Sequence, residues 1–226
     1  MIAKKVGESD NSSRLWGNTM AEKLKKEAFL DQLKALCPTV DNLRLMLGAA
    51  RHAFNRHSLA KLEEIARLKD DITFDIDPIF EQLEGGIKKS SEVDKPYLLK
   101  LQGILSHLEL MADKIAGLAE PIRRKGNHGA ILSDKDFFHI NDLFSQQMGF
   151  MRALVDIFHY DDVSLKAYLQ YEGQKLRDSC FLNKVEHGSQ MTESLGQPDA
   201  WSIYLDILDH SREILGHLME ILKILG

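Results

Sequence analysis

Residues 105–120 read LSHLELMADKIAGLAE, with Glu109 and Asp113 four positions apart. On a helix that spacing puts two carboxylates on one face, where like charges repel by a few tenths of a kcal/mol. A bound cation would turn the repulsion into coordination, because carboxylate oxygens suit hard and borderline metals. Asp71 and Asp75 repeat the spacing in the preceding helical stretch. The expectation is a metal site at Asp71, Asp75, Glu109 and Asp113, two ligands from each of two neighbouring helices. An all-oxygen set suits magnesium, manganese or calcium. The alternative is a solvated acidic surface compensated by nearby lysines.

Such a site needs rigid elements to carry it. The chain holds five prolines and no alternating strand pattern, so it reads as all-α. Helix 1 is expected over 22–56, kinked or broken at Pro38. A second helix runs from an N-cap at Ser58 to about Lys88, interrupted at Pro78. EGGIKKSSEVDKP is expected to be a turn. A third helix follows, with the near-heptad seam Leu101, Ile104, Leu108, Met111, Ile115, Leu118 and Ile122. The Gly-rich RRKGNHGAIL, 123–132, separates the halves. Ser133 and Asp136 resemble a capping start for a fourth helix, to about His159. The fifth spans 164–190, and Pro198 opens the sixth.

The second half repeats the first. At an offset of 103, Leu101, Ile104, Leu105, Met111, Ile115 and Leu118 fall on Tyr204, Ile207, Leu208, Ile214, Leu218 and Ile221. Leu108 falls on Ser211 and breaks the apolar match. At an offset of 104, Leu33, Leu36, Val40, Leu47, Ala50 and Phe54 fall on Phe137, Ile140, Phe144, Met151, Leu154 and Phe158. The architecture predicted is a tandem repeat of two antiparallel three-helix bundles with six long helices. A flexible arm is expected at 1–21, the first bundle at 22–126 and the second at 132–226. In heptad terms, Glu109 and Asp113 border one edge of their seam, and Asp71 and Asp75 border the opposite edge of theirs. Neighbouring helices can bring two such edges together.

HLELMADKIAGLAE also resembles the signature of the PhoU family of phosphate-uptake regulators. That family carries a Leu-Glu-Arg-Ile-Gly-Asp-His-like run ending in Ala-Glu. Leu108, Glu109, Met111, Asp113, Ala119 and Glu120 match it, whereas Leu110 and Lys114 depart. The resemblance implies a tandem three-helix-bundle fold and a regulatory role rather than an enzymatic one. It implies a cytoplasmic protein, at the inner face of the membrane, working with a phosphate transporter or a sensor histidine kinase. Iron or zinc is the metal it implies, held through the E/D-x-x-x-D pairs, with Asp70 offering a competing register for the Asp71 and Asp75 pair. The second half lacks the acids: Arg212, Gly216 and Lys223 stand where Glu109, Asp113 and Glu120 would recur, and Lys175 and Ser179 replace Asp71 and Asp75. A shifted register through Asp206, His210, Glu213 and His217 is one substitute. An anion-attracting patch of Lys175, Arg177, Arg212 and Lys223 is another.

Other classes fit less well. The net charge of −5 and the lack of a basic run argue against nucleic acid. Cys37 and Cys180 are too few for a disulfide framework or thiolate zinc site, and a reducing compartment suits them. No Glu-x-x-His occurs, which disfavours a four-helix di-iron enzyme. His210, repeated by His107, flanks the seam and reads as structural. AEKLKKEAFLDQL is amphipathic, suited to packing or to peripheral contact with a membrane. The apolar end MEILKILG needs a cover, for which a second subunit in a homodimer is one source. A stand-alone metal-binding bundle and a plain scaffold are the remaining alternatives.

Overall fold

The computed structural model describes residues 25–92, 94–190 and 198–226, with side chains to 185 in the second stretch. The arm expected at 1–21 lies outside these residues. The elements are α1 (residues 25–35), α2 (Cys37–Arg56), α3 (Leu59–Lys89), α4 (Lys95–Gly117), α5 (Ala119–Asn127), α6 (Asp134–Tyr160), α7 (Val163–Gln190) and α8 (Pro198–Leu225). They form six rods, because α1–α2 and α4–α5 are each one rod interrupted by a single residue. The fold is all-helical among the described residues, as the apolar periodicity predicts. No helix among them is long and apolar enough to cross a membrane.

Three prolines act in different ways. Pro38 lies in the first turn of α2, just past the break at Leu36. Pro121 has no N–H for the carbonyl of Gly117, and the rod breaks beside it at Leu118, whose N–H donates to Ile115 O in the tighter i−3 pattern. Pro78 sits inside α3 without ending it. It faces solvent, where water can serve the carbonyl left unpaired one turn earlier. α3 ends at Lys89, one residue past the end expected near Lys88, so the turn expected over EGGIKKSSEVDKP starts late and Gly85 and Gly86 are helical. The interruption expected at Pro78 and the break expected from Arg123 are corrected: α3 runs through Pro78, and α5 carries the helix through Gly126 to Asn127. Leu83 and Ile122 are buried just before these glycines, and that tertiary packing outweighs their low helix propensity.

The duplication is visible in the backbone. α2 ends at His57 (φ 52°, ψ 39°) and α6 at Asp161 (φ 51°, ψ 36°). Both are left-handed C-caps at equivalent positions, and both donate an N–H to the carbonyl four residues earlier. Ser133 caps α6 by accepting from Asp136 N at 3.2 Å.

The paired seams of the two repeats are buried in one continuous apolar core. α4 lies along α8 and α2 along α6, so the repeats meet through equivalent helices. Phe54 stacks on Phe137 with ring centroids 5.5 Å apart. Beside it Asn55 and Asn141 exchange amide hydrogen bonds of 2.8 and 3.0 Å, which fixes the α2–α6 register.

The apolar C-terminus is covered within the chain. Ile221 and Leu222 are buried, and the Ile224 side chain packs on Gly103 of α4. No second subunit is needed to cover it. Phe29 and Leu33 of α1 face the core, while Lys25 and Lys26 pair with Asp94 (2.7 Å) and Asp161 (2.8 Å). The described part of the amphipathic segment therefore packs on the bundle.

Candidate functional site

Glu109 and Asp113 lie on the edge of α4 that faces α3, as the seam spacing implies. The group that meets Asp113 there is Lys69, whose Nζ is 2.6 Å from Asp113 Oδ1. That contact identifies the edge of α3 turned toward α4. At roughly 100° per residue, Asp71 is rotated by roughly 200° from Lys69 and Asp75 by roughly 240°. Both lie across the buried stripe of Ile72 and Ile76, on the edge away from α4. Asp71 is exposed and pairs with Arg67 at 3.2 Å, while Asp75 is exposed and Glu109 half-buried.

The four carboxylates thus do not fit a common cation. An ammonium group already occupies the α3–α4 edge, and the two aspartates of α3 face elsewhere. Among the described residues, no group of three or more His, Cys, Asp or Glu side chains is placed to hold a metal. The pairs that do form are exposed, so each contributes at most about 1 kcal/mol.

The second repeat inverts the site's charge. Gly216, at the position of Asp113, leaves room for the Arg177 guanidinium, about 3.7 Å from where a Cβ would stand. Lys175 pairs with Glu172 (3.6 Å), Lys223 with Glu220 (3.3 Å), and Arg212 lies 5.3 Å from the Phe181 ring centroid. Lys175, Lys223 and Arg212 thus have separate partners, whereas the buried Arg177 Nε has none. The shifted register is likewise dispersed: Asp206 pairs with Arg124, Glu213 with Lys114 (2.7 Å), and His217 contacts His107. Lys114 holds the Glu213 carboxyl below its usual range.

A feature outside the expected set is the outer face of α3. From Asp70 to Glu84 it carries six carboxylates (Asp70, Asp71, Asp75, Asp77, Glu81, Glu84) and no lysine or arginine. All six are exposed, and Phe74 among them is 79% exposed. The sequence signal was Phe74 itself, an aromatic residue off the apolar stripe. Lys69 could have been found as the basic residue on the flank opposite Asp71 and Asp75.

Reactive groups are muted. Burial pushes the Cys180 thiol up to about 12, and it also raises that of Cys37. Lys125, beside a hollow of about 410 Å³ lined also by His57, Asp134 and Phe137, is buried and its pKa is lowered by that burial. Its Nζ donates to Phe54 O at 3.2 Å, serving a carbonyl at the C-terminal end of α2.

No protein-family model matches the chain, and no curated protein matches it. Solved structures do. PhoU from Pseudomonas aeruginosa superposes with a TM-score of 0.72 at 13% identity, covering 90% of this chain and 96% of that one. The chain has a PhoU-like fold. The phosphate transport system regulatory protein PhoU from Streptococcus pneumoniae superposes with a TM-score of 0.63 at 16% identity, covering 92% of this chain and 94% of that one. At this identity the likeness concerns the PhoU fold, and both repeats lie within it.

Proposed function

We propose that this chain is an accessory regulator of phosphate transport and phosphate signalling, acting by protein–protein docking and not by catalysis. The observation that carries the proposal is the superposition, over nine-tenths of the chain, on proteins described as PhoU and as a phosphate transport system regulatory protein.

The outer face of α3 is the docking surface in this account. Cytoplasmic loops of membrane proteins carry an excess of lysine and arginine. A run of six exposed carboxylates complements such loops and steers their approach. Phe74 supplies an aromatic anchor of the kind that concentrates binding energy. The partner is a phosphate transporter or its sensor histidine kinase, met at the inner membrane face. Net charge −5 opposes direct adsorption to anionic lipid, so membrane association runs through the partner protein. Docking requires no cation at Asp71, Asp75, Glu109 and Asp113.

The test is capture of a detergent-solubilised phosphate transporter, and separately of the sensor kinase, by the tagged full chain. Binding should weaken with salt and fall at least tenfold in a Phe74→Ala, Asp71→Lys, Asp75→Lys variant that keeps its helical circular dichroism. Failure of the wild-type chain to bind either protein overturns the proposal. Equal binding by the variant removes α3 from it.

A further inference from the structure

His107 of α4 and His217 of α8 meet across the interface between the repeats. Their Nδ1 atoms are 3.2 Å apart, and their ring centroids 5.4 Å apart. Both side chains are half-buried, so solvent reaches the pair. Neither imidazole is ion-paired with a carboxylate among the described residues. Two nitrogens bound to one tetrahedral ion at about 2.0–2.1 Å are about 3.3 Å apart. The observed pair therefore already spans one edge of such a coordination shell, with its two ligands supplied by different repeats.

We propose that His107 and His217 form a two-imidazole site for a borderline divalent transition ion of the zinc or copper class, completed by water, that clips the repeats together. The site is independent of the docking function and of the carboxylates of α3. Imidazole suits these ions, whereas calcium and magnesium prefer oxygen. The charged groups that act on His217 are Lys114 on α4 and Glu213 and Glu220 on α8, two carboxylates against one ammonium. Lys114 is itself engaged by Glu213. Without the ion, one Nδ1–H donates to the other ring. Binding needs both protons on Nε2, so it is a tautomer change in neutral imidazoles and weakens when the pair is protonated.

The duplication makes the site single. His210 occupies the position in the second repeat that His107 holds in the first, and His217 occupies that of Lys114. The symmetry-related contact would pair His210 with Lys114 and lacks a second imidazole. One ion per chain is expected.

The test is calorimetric titration of the chelator-treated full chain with Zn²⁺ at pH 7.5, alongside His107→Gln and His217→Gln, with His210→Gln as a control. The expected result is one ion per chain, bound at least tenfold more weakly by each of the first two variants and unchanged in the control. A measurement on the wild type is independent of how the variants fold: with Zn²⁺, the ¹⁵N resonances of two histidines should report a metal-bound Nδ1 and a protonated Nε2. Absence of uptake, uptake indifferent to both substitutions, or ligation through Nε2 overturns the proposal.

Discussion

One interruption of the duplicated seam sets up a quantitative experiment. Leu108 of the first repeat becomes Ser211 in the second, and Leu43 on the facing rod becomes Gln147. All four are fully buried. The two polar replacements meet each other: Gln147 Nε2 donates to Ser211 O over a long 3.4 Å. Gln147 Oε1 and Ser211 Oγ have no hydrogen-bond partner. A buried polar group left unpaired costs about 1–3 kcal/mol. Ser211→Ala removes one such atom and almost no volume, so it should stabilise the protein by about 1 kcal/mol. For a chain of this size that raises Tm by about 2–4 °C. Adding Gln147→Leu restores the apolar facing pair and should bring the total gain to about 2 kcal/mol. The converse change, Leu108→Ser, empties a close-packed site and should cost about 2–5 kcal/mol. Urea unfolding at unchanged m reads all three. If Ser211→Ala destabilises the chain by 1 kcal/mol or more, the hydroxyl is satisfied in the folded protein and the reasoning fails.

Two further outcomes follow from the site geometry. Burial lowers the His217 pKa, with His107 and Lys114 adding to the effect, and burial with Lys125 lowers that of His57. A histidine with a depressed folded pKa binds protons first in the unfolded chain. Stability should therefore be full above the unfolded value near 6.5 and decline as pH falls below it. His217→Gln should flatten that decline in denaturation curves taken between pH 7.5 and 5.5, and an unchanged slope would exclude His217 as its source. At the acidic edges, replacing Asp71, Asp75, Glu109 and Asp113 together by alanine should leave metal content unchanged in elemental analysis of chelator-free protein. Metal lost only in that variant would mean that α3 and α4 close around an ion.

The helices, the seam and the duplication were legible because burial imposes a period. Apolar residues recur wherever a rod faces the core, and nine seam positions from Leu101 to Ile122 have apolar counterparts one repeat later. The acidic site was half legible. Spacing shows that Glu109 and Asp113 share an edge of α4, and they do face α3. Which edge of α3 faces back depends on how the three rods wind around one another, and residue spacing within a single rod carries no record of that. Lys69 settles it in the structure. The extension of α5 through Gly126 to Asn127 was missed for a related reason, since local propensity argued for a break at 123–132 and packing overruled it. The His107–His217 contact was hidden because it joins positions that are not equivalent under the repeat.

The most direct measurement of the regulatory role is radiolabelled phosphate uptake by cells grown with ample phosphate, comparing the parent strain with a deletion of this gene. The account predicts that the deletion strain keeps importing phosphate, that the wild-type chain restores restraint, and that the Phe74→Ala, Asp71→Lys, Asp75→Lys chain does not. Uptake identical in parent and deletion strains would contradict it.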